Sequence, residues 1–244
     1  SSDVCSSDLK FTLPHVHSAQ LADGTAVYVV PAMHKDIVSM TIVMRTGSVA
    51  DEVHGITSFT AQMLNRGTAS MDAAMFADEV ERRGCTVRAS ADADTTTLRA
   101  SGLGEWFDDL VDFSAACLLR PRFDGAEIDK MRQRIIADIM VELVDVEWLA
   151  ARACAQRTFY KHPYAHATIG TPASIKTFQR QHLLAAHQRM CTAERYIVIA
   201  GPVDPDHAVT ALNTALSELA PASTSDRKST RLNSSHANIS YAVF

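Results

Sequence analysis

Three observations in the 244-residue sequence predict an α+β fold, a two-layer α/β sandwich in which helices cover one face of a largely antiparallel sheet. Strand-like and helix-like runs follow one another as βββ, αα, ββ, several α, β, α, an order that suits such a sandwich better than a doubly wound parallel sheet. The strand-like runs are rich in β-branched residues and threonine, and the helical runs carry apolar residues at helical spacing. The composition, 47% hydrophobic and 21% charged, is enough to bury a sizeable core.

Taken in order, Asp23-Gly24 is a turn signal that joins a short leading segment to the strand Ala26–Val30. Ile37 to Arg45 forms the next strand, ended by Gly47. A helix from Ile56 to about Asn65 is closed by Gly67. A second runs from Met71 to Arg83, with Ser70 as its cap, Asp72 in its first turn, Arg82 and Arg83 in its last, and Gly84 beyond. Thr86–Ala91 and Thr95–Ser101 pair around Asp92-Ala93-Asp94. The helix Trp106–Leu119 stops at Arg120-Pro121, and Asp124 caps a long helix with Ile128, Met131, Ile135 and Ile139 on one face. Val146–Tyr160, ended by His162-Pro163, then Gln179–Met190, the strand Tyr196–Ala200 and the helix Pro205–Leu219 complete the order.

The formal charge of -5 and the absence of any Lys/Arg stripe with interleaved aromatics argue against nucleic acid as a partner. No apolar run has the length of a membrane span. Cys85, Cys117, Cys154 and Cys191 show no C-x-x-C spacing and read as small buried hydrophobes. The serine-rich ends, residues 1–9 and 227–244, closely resemble translations of sequencing-adapter DNA. They are set aside, which leaves residues 10–226 as one domain and implies a longer natural protein.

Several stretches together carry a family resemblance: Leu21-Ala22-Asp23-Gly24-Thr25, Gly47-Ser48, Gly55 to Gly67, Arg82-Arg83-Gly84-Cys85, Pro121-Arg122-Phe123-Asp124, His162-Pro163-Tyr164 with Ile169-Gly170, and Ala200-Gly201-Pro202-Val203-Asp204. In their order and spacing they resemble one domain of the pitrilysin/insulinase-type (M16) peptidases. That family includes the mitochondrial processing peptidase and the core subunits of the respiratory bc1 complex.

The resemblance implies an inverted zinc motif, H-x-x-E-H, on the first helix and a glutamate ligand on the long helix. Position by position, the histidines fall at Ser58 and Gln62, the general base at Ala61 and the third ligand at Asp138. Serine and amide oxygens are poor substitutes for imidazole around zinc, and alanine cannot take a proton from water. Only Asp138 keeps ligand chemistry. Flanking an apolar helix face, it is expected to hydrogen-bond to Gln62, Ser58 or a nearby arginine. His162 and His166 are separated by Pro163, and His182 and His187, five apart on a helix, turn away from each other and read as surface residues. Ser58 sits in no G-x-S-x-G elbow.

No cofactor is therefore expected in this chain, with zinc held only by a catalytic sister subunit that carries the intact motif. In the resembling family an extended peptide adds as a strand at a sheet edge, near the segment that maps to Arg88-Ala89-Ser90-Ala91, with Arg88 at an asparagine-like position. Edge addition needs only backbone groups, so it survives loss of the metal. The expectation is a non-catalytic pseudo-peptidase domain that supplies chamber wall and subunit interface. The alternatives are a purely structural core subunit and an active metallopeptidase with a rebuilt site. A periplasmic location is compatible with the resemblance.

Overall fold

The computed structural model describes residues 14–221, so the serine-rich ends at 1–9 and 227–244 lie outside the described residues. Six strands, β1 (His17–Gln20), β2 (Ala26–Pro31), β3 (Ile37–Met44), β4 (Thr86–Ala91), β5 (Thr96–Leu103) and β6 (Arg195–Gly201), form one sheet in the order β1-β2-β6-β3-β5-β4. Every neighbouring pair is antiparallel except β2 with β6, which run parallel. β1 and β4 are the edges.

Alternation along each strand decides which face is covered. Val27 and Val29, Val38, Met40, Ile42 and Met44, Leu98 and Ala100, and Ile197 and Ile199 are all buried. Their neighbours Tyr28, Ser39, Arg99 and Tyr196 are exposed on the other face. The covered face packs against helices α1 (Ile56–Met63), α2 (Ala73–Arg82), α3 (Phe107–Leu119) and α8 (Pro205–Ala215), while α4 (Gly125–Glu142) and α7 (Arg180–Thr192) pack on α1, and the buried residues of all six join the same core. Two edge-to-face aromatic pairs bind this layer, Phe59 of α1 with Phe178 from the segment just before α7 at 5.3 Å, and Phe76 of α2 with Phe113 of α3 at 5.8 Å between ring centres.

Capping explains most helix starts. Asp124 accepts from the Ala126 amide, and Asp204 accepts from those of Asp206 and His207. Asp145 accepts from the Trp148 amide at the start of α5 (Val146–Thr158). The α2 cap is Asp72, whose carboxylate accepts from the Met75 amide, and not Ser70, which is engaged with Thr68 Oγ1 at 3.3 Å. Both residues are good caps by type, and the carboxylate two residues later takes the role. The short helix α6 (Pro172–Lys176), begun by a Thr171/Ser174 capping box, is an addition to the sequence expectation. Of the four cysteines among the described residues, Cys85 and Cys117 are buried, Cys191 is half-buried and Cys154 is exposed. The last departs from expectation because α5 buries none of its residues.

Candidate functional site

The site is built from α1, the edge strand β4 and the middle of α4. α1 starts at Gly55, whose φ of +96° lies in the left-handed region. The Asp51 carboxylate accepts hydrogen bonds from the amides of Gly55 and Thr57 and from the Thr57 hydroxyl, fixing the orphan donors at the helix start. Burial pushes the Asp51 carboxyl above its ordinary value even against these three donors, with Arg189 no nearer than 3.9 Å. From the other side, Gly170 packs against this turn, and Ser174 Oγ donates to the His54 carbonyl at 2.8 Å.

This anchoring sets the three motif positions. Ala61 is fully buried, Ser58 is buried at 7% exposure, and Gln62 is half-buried and faces a cavity of about 470 Å³. Arg66, Arg88, Met131 and Arg134 also line this cavity. Asp138 does not join Ser58 or Gln62 through a hydrogen bond. Its side chain is 57% exposed, and its partner is Arg134 one turn earlier on α4, at 3.8 Å, a loose ion pair. Asp138 lies seven residues after the buried Met131 and so borders the buried stripe of α4, but the end of this helix runs out past the core, where Met140 and Val141 are exposed as well.

A zinc ion needs three protein donors of imidazole, thiolate or carboxylate type. A hydroxyl, a methyl, an amide and a solvent-facing carboxylate already beside an arginine do not make that set. Among the described residues no group of three His, Cys, Asp or Glu side chains is placed to hold a metal ion. The nearby histidines are otherwise engaged. The His54 and His166 rings stack at 3.6 Å, and the His162 Nδ1 accepts from the Tyr164 amide. His182 accepts at the start of α7 through Nδ1. His187 is not a surface residue: its Nε2 lies 2.7 Å from the Leu118 carbonyl, and burial holds its pKa below the usual value.

β4 is the feature that remains open. Its backbone alternation can be deduced twice over. The Gly104 amide donates to the Asp36 carbonyl, just beyond the paired stretch of β3 and β5, which places the even-numbered groups of β5 toward β3 and the odd-numbered ones toward β4. In the β4–β5 register Arg88 opposes Arg99, so Thr86, Arg88 and Ser90 bond into the sheet. Val87, Ala89 and Ala91 therefore turn their N–H and C=O groups to the outer edge. The Val87 carbonyl confirms this, because it is taken at 2.9 Å by the Asn65 side-chain amide, from the turn after α1. Of the expected quartet, Ala89 and Ala91 thus offer backbone groups, while Arg88 and Ser90 offer side chains on the open face. Asn65, Arg66, Arg99 and Arg134 were not singled out in the sequence. The signal available there was the Asn65-Arg66 pair at the end of the motif helix.

Residues 27–172 match the family model described as insulinase (peptidase family M16). The chain belongs to the insulinase, or M16, peptidase family. Among curated relatives it is 25% identical over 175 residues to the non-peptidase homolog YmxG of Helicobacter pylori, covering 71% of this chain and 40% of that protein. It is 26% identical over 180 residues to an uncharacterized zinc protease of Mycobacterium bovis, covering 73% and 41%. A solved structure of a peptidase M16 inactive domain from Pseudomonas fluorescens superposes with a TM-score of 0.78 at 22% identity, over 85% of this chain and 51% of that one. The chain thus spans about half the length of the relatives it matches, or less. Among the described residues no helix is long and apolar enough to cross a membrane.

Proposed function

We propose that this chain is a non-catalytic M16 domain, a pseudo-peptidase that holds extended peptides at the β4 edge within an assembly whose zinc is carried by a sister subunit. The observation that supports it most is the pairing of an M16 fold with the donor set Ser58, Ala61 and Gln62 at the motif positions. A helix at the motif position that has no group to bind metal or accept a proton does not split peptides. An open edge with free backbone groups beside a cavity is still suited to strand addition.

The domain would also supply chamber wall and subunit interface. Met140, Val141, Val144 and Val146, at the end of α4 and the start of α5, are all exposed. That run of apolar surface suits burial against another subunit. It also favours the second reading, a structural subunit that binds no peptide.

The two part on one experiment. Ala89→Pro removes an outward N–H without touching the β4–β5 ladder, so the fold should persist. Hydrogen exchange of the chain with excess unstructured polypeptide is expected to show protection at Ala89 and Ala91 that the variant loses. No protection along β4 at saturating polypeptide would leave the structural subunit.

A further inference from the structure

Charge along the β4 edge goes a step beyond the proposed function and rests on it. Arg88 and Arg99 stand directly opposite one another on the open face, a like-charge cross-strand pair that costs stability. Neither has an ion-pair or hydrogen-bond partner among the described residues. The pairs on either side of them are, by contrast, satisfied: Thr86 with Ser101 at 2.9 Å and Ser90 with Thr97 at 3.2 Å. On the helix side of the same edge, the cavity beside Gln62 holds Arg66 and Arg134. The Arg66 Nε is buried without a hydrogen-bond partner, and Arg134 has only its loose contact with Asp138. Glu81 is the carboxylate lining this cavity, and it forms no ion pair with either arginine.

A chain of net charge -5 has therefore placed Arg66, Arg88, Arg99 and Arg134 around one strand edge, with Arg88 and Arg99 unpaired, the Arg66 Nε unsatisfied and Arg134 held only by its loose contact with Asp138. Opposed cations on a strand edge, and a half-buried guanidinium with an unpaired Nε, are stabilised by a ligand that brings carboxylates. Side chains of a strand added at β4 alternate between the two sides of the sheet. One set would fall beside Arg88 and Arg99 on the open face, the other toward Arg66 and Arg134 in the cavity.

We infer that the peptides held at the β4 edge are acidic ones, whose Asp or Glu side chains pair with Arg88 and Arg99 on one side and with Arg66 and Arg134 on the other.

The test uses the full chain and two fluorescein-labelled decapeptides, one rich in glutamate and one with each glutamate replaced by glutamine, read by anisotropy. The acidic peptide is expected to bind about tenfold or more tightly than the amide peptide, with an affinity that falls as salt rises. Arg88→Glu, which turns a like-charge cross-strand pair into an opposite one and so should fold at least as well, is expected to remove that preference. Ala89→Pro should weaken both peptides. Equal binding of the two peptides, both lost in Ala89→Pro, would overturn the acidic preference and leave edge binding intact. Acidic binding unaffected by Ala89→Pro would overturn strand addition itself, and binding of neither peptide would overturn both.

Discussion

Gly55→Ala is expected to cost about 3 kcal/mol of stability, by adding a left-handed penalty to an overpacked contact. Gly55 has φ +96°, and a Cβ there would lie 2.6 Å from the Ile169 carbonyl oxygen and 2.7 Å from the Gly170 Cα. Both are backbone atoms, so no side chain can swing aside. Gly24→Ala is the matched control. It has φ +85° but nothing within 4 Å of an added Cβ, so it should lose only about 1 kcal/mol. Urea denaturation of the two variants measures the difference. Equal losses would mean that the approach of residues 169–170 to the start of α1 is not what positions the motif helix.

Arg195→Met should have a comparable effect, about 3 kcal/mol, by stranding a largely buried carboxylate. The Arg195 side chain is 1% exposed and donates to four residues from three segments of the chain. It donates through Nη2 to Asp23 at 2.7 Å and to the Ala220 carbonyl, through Nε to Thr25 Oγ1 at 3.1 Å, and through Nη1 to the Cys191 carbonyl at 2.6 Å. Burial alone would raise the Asp23 carboxyl, but the hydrogen bonds from Arg195 and Thr25 outweigh it and hold the group below its ordinary 3.8. A carboxylate depressed in the folded state adds stability that is present above 3.8 and lost as pH falls through the lower folded value. The native chain should accordingly lose stability over that acid window, and Arg195→Met, having already lost the interaction, should lose less there. Identical acid profiles would show that the pair contributes nothing.

The extent to which this architecture can be read from sequence follows from how local each signal is. The strands β4 and β5 around Asp92-Ala93-Asp94, the stripe Ile128, Met131, Ile135 and Ile139 of α4, and the stop of α3 at Arg120-Pro121 depend on near neighbours, and they stand as expected. The parallel pairing of β2 with β6 joins residues about 170 apart and has no local mark. Helix α6 has five residues, too few for periodicity to show, and only its Thr171-Pro172 start announces it. Asp138 falls on the long helix as its spacing predicts and borders the buried stripe, but how far the core extends along α4 has no local mark, and the end of the helix meets solvent. Within the site, β4 itself was visible as a strand. Its role as an edge depends on the strand order, and the opposition of Arg88 to Arg99 depends on register, neither of which spacing alone supplies.

The motif helix carries Ser58, Ala61 and Gln62 where zinc would need imidazole and carboxylate donors, so metal content is the property to measure. The chain, purified and then dialysed against zinc at low micromolar concentration, is expected to retain well below one zinc per chain, with no difference in Asp138→Ala. One tightly held zinc per chain, lost in Asp138→Ala, would contradict the account.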